Sequence, residues 1–191
     1  MRRQWYLSER RKIFVGLSLG IAVLIGIAVL DLFGVLDYHT SDRVLINNFR
    51  AHRNDFETLA SMAIEDDVRG LYSDSVMLND YKIWPADGSG SFSWRRWYEY
   101  DALFKRLGTA AQHMLTKESG VLHVPASHIS TEPNDDLEYR ISEKGYAFSQ
   151  TPLSDLDDSL DGMGVDDLGI TYRRIDEHWY LYHDGGIGKP E

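Results

Sequence analysis

Between Ile13 and Leu30 the chain carries no charged residue, and after Asp31 the apolar run resumes as Leu32-Phe33-Gly34-Val35-Leu36. No other stretch narrows the possible folds as much. At about 1.5 Å per residue, a helix over 13–30 spans roughly 27 Å and one over 13–36 roughly 36 Å, and either bridges a hydrocarbon core of about 30 Å. A crossing segment must be helical, because a bilayer offers no partners to an unpaired backbone. Asp31 sits in the last third of the run, where it reads as the headgroup boundary rather than an intramembrane ion site.

Orientation follows from the flanks. Arg2, Arg3, Arg10, Arg11 and Lys12 precede the run, opposed by Glu9 alone, so the N-terminus is expected to stay cytoplasmic. A cleaved leader would have an apolar core of about 7–15 residues and a small-x-small site. Here the run is longer, and Val-Leu-Asp-Leu-Phe-Gly follows Ala28, so an uncleaved anchor is expected. Gly16-Leu-Ser-Leu-Gly20 is a GxxxG, and Ser18, Ala22 and Gly26 form a second row of small residues. Such rows let two membrane helices approach closely, which makes a homodimer or a second membrane helix an expected partner besides the lipid bilayer.

The rest of the chain is acidic. Residues 37–191 hold 15 Lys and Arg against 28 Asp and Glu. That excess repels nucleic acid and anionic lipid, and fits a basic protein partner, a cation, a neutral ligand or plain solubility. The chain has no cysteine, which excludes disulfides, thiolate metal sites and a cysteine nucleophile.

Leu45, Phe49, His52, Phe56, Leu59 and Ala63 alternate spacings of four and three, which predicts one helix of about 22 residues capped by Thr40 or Ser41. Val68 to Leu78 reads as a strand and turn, and Pro85 to Ser93 as a loop. A second helix is predicted from Trp94 to Leu107, stopping at Gly108 and resuming over Thr109–Lys117. Strands follow at Val121–Val124, then Glu138–Ile141 and Tyr146–Ser149 as a hairpin about Ser-Glu-Lys-Gly. Ile170–Ile175 and Trp179–Tyr182 form a second hairpin. The fold class expected is therefore α+β: one N-terminal transmembrane helix, then a small domain of two or three helices and an antiparallel sheet. The boundaries are 1–12 for a cytoplasmic basic tail, 13–36 for the anchor, 37–183 for an extracytoplasmic domain and 184–191 for a loose tail.

Motifs for chemistry are sparse. His123 and His128 are five apart, as are His178 and His183, and neither spacing puts two imidazoles on one side of a helix or strand. Asp157-Asp158-Ser159-Leu160-Asp161-Gly162 opens like a calcium loop, but Leu168 stands where the bidentate Glu belongs. Gly88-Ser89-Gly90-Ser91 is not GxSxG. No catalytic, cofactor or metal residue is assigned. The aromatic clusters remain: Trp94, Trp97 and Tyr98, and Trp179, Tyr180 and Tyr182, are candidate partner-binding residues, since Trp, Tyr and Arg anchor protein interfaces.

Lys144-Gly145-Tyr146-Ala147-Phe148-Ser149, with Pro152-Leu153, Ser159-Leu160-Asp161, Tyr172-Arg173 and Trp179-Tyr180-Leu181-Tyr182, resembles the C-terminal pattern of small uncharacterised bacterial membrane-anchored proteins. The resemblance covers about the last third of the chain and implies a bacterial envelope setting; with the orientation of the anchor this places the protein in the inner membrane with its domain in the periplasm, and it brings no activity. The expected function is an anchored protein-binding module, an accessory subunit or immunity-type inhibitor rather than an enzyme. The alternatives are a glycan-binding or glycan-active domain and a sensory subunit acting through its membrane helix.

Overall fold

The computed structural model describes residues 39–72, 76–78, 83–84, 92–109, 113–131 and 138–188. Its helices are α1 (Asp42–Ala51), α2 (Arg53–Glu65) and α3 (Trp94–Leu107). Its strands are β1 (Val68–Tyr72), β2 (Val76–Leu78), β3 (Ile83–Trp84), β4 (His113–Glu118), β5 (Val121–Ser130), β6 (Tyr139–Phe148), β7 (Gly169–Arg174) and β8 (Trp179–Gly188). They form one eight-stranded antiparallel sheet in the order β3-β2-β1-β4-β5-β6-β8-β7.

The expected fold, topology and localisation are corrected by this architecture. The described residues are mostly sheet, and none of their helices is long and apolar enough to cross a membrane. The longest, α3, has 14 residues and several charges, so it spans only about 21 Å. The picture of a single-pass, periplasmic, signal-anchored protein has no support among the described residues. The apolar run over 13–36, on which that picture rested, lies outside them, as do Pro85–Ser91 of the expected loop.

The predicted 22-residue helix is two helices joined at His52, which leaves helical geometry at φ −119°. Hydrogen bonding barely breaks there: the His52 N–H donates to Asn48 and Phe49, and its carbonyl accepts from Asp55 and Phe56. The apolar stripe therefore continues across the joint, and Leu45, Phe49, Phe56, Leu59 and Ala63 are all buried. Ser41 occupies the cap position of α1 without a capping bond; Asp161 from a distant loop accepts the Asp42 N–H at 2.7 Å instead. The helix predicted over 94–107 is α3. Ser93 Oγ caps it by accepting the Arg96 N–H at 3.2 Å, and Gly108 ends it in the left-handed region at φ +65°.

Three predicted elements are overturned. The helix expected over Thr109–Lys117 gives way to β4, because Leu115 and Thr116 pair with β1 while Thr116, Lys117 and Glu118 pair with β5. The hairpin about Ser-Glu-Lys-Gly is one unbroken strand, β6, paired with β5 on one side and β8 on the other. Gly145 in it is not a turn residue. It lets β5 cross closely, since a Cβ there would collide with the Val124 carbonyl. The tail from Asp184 is the second half of β8, paired with β6 as far as Gly188. The β7–β8 hairpin is as predicted.

The sheet is covered on both faces at its β6-β8-β7 side. On one face Leu122, Val124, Tyr146, Trp179 and Leu181 pack with α1–α3, where the Phe56 ring lies 4.4 Å from Tyr146 and 5.3 Å from Trp179. On the other face Val121, Ala147, Tyr172, Tyr180 and Tyr182 form a second cluster, against which Leu153 packs. The segment 149–168 wraps the free edge of β7 to reach both. Leu153 donates its N–H to the Tyr180 hydroxyl at 3.4 Å, Asp155 and Asp157 bridge to Tyr172, and Leu160 is buried in the first core.

Candidate functional site

On the helix-covered face, Ser142, Lys144 and Tyr146 alternate along β6, and His183 of β8 lies directly opposite Lys144. Apolar residues would be expected here, but a polar cluster occupies the end of the core. Lys144 and Asp42 are each 1% exposed, and Nζ lies 2.7 Å from Oδ1. Asp42 Oδ2 accepts from Arg173 Nη1 at 2.5 Å and from the Leu160 N–H at 2.8 Å. Lys144 also donates to the Leu160 carbonyl at 3.1 Å and lies 3.3 Å from Asp161 Oδ1. Burial pushes the Asp42 carboxyl up, but its bonds to Lys144, Leu160 and Arg173 outweigh that and hold it below the usual carboxylate value. A buried carboxylate without such partners would cost several kcal/mol.

Beside this cluster runs a chain of hydroxyls and imidazoles. His39 Nδ1 is 2.8 Å from Ser127 Oγ, and His39 Nε2 is 2.5 Å from Ser142 Oγ. Ser142 Oγ is 2.7 Å from His183 Nε2. His183 also bonds the Gly164 backbone, which leaves Nε2 to accept from Ser142. Ser142 then accepts from His39, and His39 Nδ1 accepts the Ser127 proton. Burial, with His183 and Lys144 close by, lowers His39 to about 4, so both rings stay neutral near pH 7. Ser142 is fully buried and Ser127 half-buried, so of the two serines only Ser127 meets solvent.

A separate site lies on α3. Trp94 and Tyr98 are 57% and 62% exposed, with ring centroids 6.4 Å apart. One turn further in, Trp97, Tyr100 and Phe104 are buried and fix the helix to the core. Asp66, just past α2, locks its orientation: Oδ2 accepts from Arg96 Nε at 2.6 Å and from the Tyr100 hydroxyl at 2.8 Å. Arg96 also reaches Glu65 and Glu99. The exposed pair thus stands on a rigid base.

The structure treats the predicted site residues unequally. Trp94 and Tyr98 come together at the surface, whereas Trp97 turns inward. Trp179, Tyr180 and Tyr182 are 1%, 2% and 1% exposed and offer no contact surface. Trp179 spends its indole N–H on Glu57 at 3.2 Å. Gly16, Ser18, Gly20, Ala22 and Gly26 lie outside the described residues. The calcium-like loop is exposed except for Leu160, and its carboxylates are engaged within the chain, Asp157 accepting from the Ser159 N–H and Asp161 from the Asp42 N–H. Among the described residues no three His, Asp or Glu side chains converge as a metal site would require. The sequence hides the buried cluster, because Lys144 stands in an apparent turn and His183 lies just past the predicted strand Trp179–Tyr182. Read as strands, Ser142-Lys144-Tyr146-Phe148 and Trp179-Leu181-His183 carry polar residues at core positions, which is the signal that marks them. No known protein family, curated protein or solved structure matches the chain.

Proposed function

We propose that the domain formed by the described residues is a protein-binding module that holds its partner on the outer face of α3, around Trp94 and Tyr98. The observation that carries this reading is the exposed pair itself. Two large aromatics stand out on a helix whose other aromatics are buried and whose pose is fixed by Asp66, Arg96 and Tyr100. Rigid Trp and Tyr side chains give contact area at small entropic cost, and their removal from interfaces commonly costs 2 kcal/mol or more. The excess of acid in the chain favours a basic partner through long-range attraction. A sugar-stacking platform with an acid beside it finds less support, since Glu99, the acid beside Tyr98, is engaged by Arg95 and Arg96.

The test is site-directed photocrosslinking in the native host. A photoreactive residue at position 98 should trap one partner repeatedly, and Trp94→Ala should abolish the product. Recovery of the same proteins from position 177, an exposed turn away from α3, or of none from position 98, would overturn the reading.

A further inference from the structure

The described arginines are mostly spoken for. Arg53, Arg95, Arg96, Arg106, Arg140 and Arg173 pair with carboxylates, and Arg174 donates to the Asp176 and Glu177 carbonyls. Arg43 and Arg50 are different: neither makes a hydrogen bond or ion pair with any described residue, and both line the same pocket. Its walls are Asp42, Arg43, Ile46, Asn47 and Arg50 from α1, with Asp161 and Arg173 from a loop and β7. Arg43, Ile46, Asn47 and Arg50 follow i, i+3, i+4, i+7, one stripe of the helix.

Charge around this pocket does not balance. Asp42 and Asp161 face four cations: Lys144, Arg173, Arg43 and Arg50. The two acids are already engaged, Asp42 by Lys144 and Arg173, and Asp161 by Lys144 and the Asp42 N–H. That leaves two guanidiniums uncompensated, in a chain whose net charge is −10. Arg173 is half-buried and held by Asp42 through Nη1, so its remaining donors are fixed in place at the pocket wall. The cavity measures about 240 Å³. That is room for roughly eight waters, and less than the roughly 300–1,000 Å³ of pockets that enclose a whole organic ligand.

We infer that this pocket is a binding site for a small doubly charged oxyanion, a phosphate or the phosphate of a monoester whose remainder lies outside. Planar guanidiniums present paired N–H donors that match phosphate oxygens, and two unmatched positive charges match a dianion. Asn47 adds an uncharged amide, and Ile46 lines an apolar wall of the pocket. The pocket shares no residue with the α3 face.

Titration of the full chain with inorganic phosphate and with O-phosphoserine tests the inference, using amide shifts of α1 at ionic strength held constant with chloride. Saturable shifts at residues 43–50 are expected with either ligand. A tighter fit of the monoester would point to an esterified source, and equal fits to free phosphate. The Arg43→Ala, Arg50→Ala double variant should bind at least tenfold more weakly while keeping its unfolding midpoint, since neither side chain is bonded to a described residue. Two results would overturn the inference: shifts that never saturate, or a double variant that binds as tightly as the parent.

Discussion

Trp94 to Tyr100 and Trp179 to Tyr182 are both dense in aromatics, yet α3 displays Trp94 and Tyr98 while β8 hides Trp179, Tyr180 and Tyr182. The helix hides one side against the core, and Trp94 and Tyr98 on its other side are exposed. The strand would be expected to expose every second residue. It does not, because α1 and α2 cover the face of Trp179 and Leu181, while on the other face Tyr180 and Tyr182 pack beside Ala147 and Tyr172 of the flanking strands, with Leu153 against them. An aromatic run on a strand is therefore a surface only when one face of its sheet is bare, whereas on an outer helix part of the run is always displayed.

Substitutions should separate the two clusters by size of effect. Trp179→Ala removes a ring packed against Phe49, Phe56 and Phe148 and its bond to Glu57, so it is expected to cost about 3–5 kcal/mol in urea unfolding. A cost under 1 kcal/mol would mean that β8 is not buried as described.

A middle-sized effect comes from pH. His123 packs on the tyrosine face, with its ring 4.8 Å from that of Tyr182 and Nε2 3.2 Å from the Tyr172 hydroxyl. Burial lowers it to about 4, against about 6.5 in the unfolded chain. The unfolded chain then binds a proton that the native state refuses. Stability is complete above pH 6.5 and drains away as pH falls toward 4. The loss from this residue should reach about 2 kcal/mol at pH 5. The drop in unfolding free energy between pH 7.5 and 5 should be smaller by about that amount in His123→Phe, with His39 supplying much of what remains. An unchanged drop would remove His123 from the account.

The smallest effect belongs to α3. Trp94→Ala and Tyr98→Ala should each leave stability within about 0.5 kcal/mol, as surface positions do. A larger loss would show that this pair is structural rather than a contact surface.

Local signals were legible wherever a single element decides the outcome. The stop of α3 at Gly108, the stripe through α1 and α2, and the β7–β8 hairpin all follow from spacing and end residues. Legibility failed where a distant partner decides. Lys144 and Gly145 look like a turn unless one knows that Asp42 lies about a hundred positions earlier to neutralise the lysine, and that β5 needs the missing Cβ. Asp184 to Gly188 looks like a tail unless β6 is one strand offering it a full ladder. The arginine pocket was equally hidden, since it joins one helix to an edge strand and a loop. Trp94 and Tyr98 were legible as residues, but their exposure depended on the fold.

The segment 149–168 crosses the rim of the sheet with its two ends on opposite faces. Leu153 is tied to Tyr180 on one side and Leu160 to Asp42 on the other, with the bridge to Tyr172 between them. In kinetic terms it is a clasp. Losing the bridge slackens both ends together, so water would reach the tyrosine face and the buried Lys144–Asp42 pair in a single opening event rather than in two.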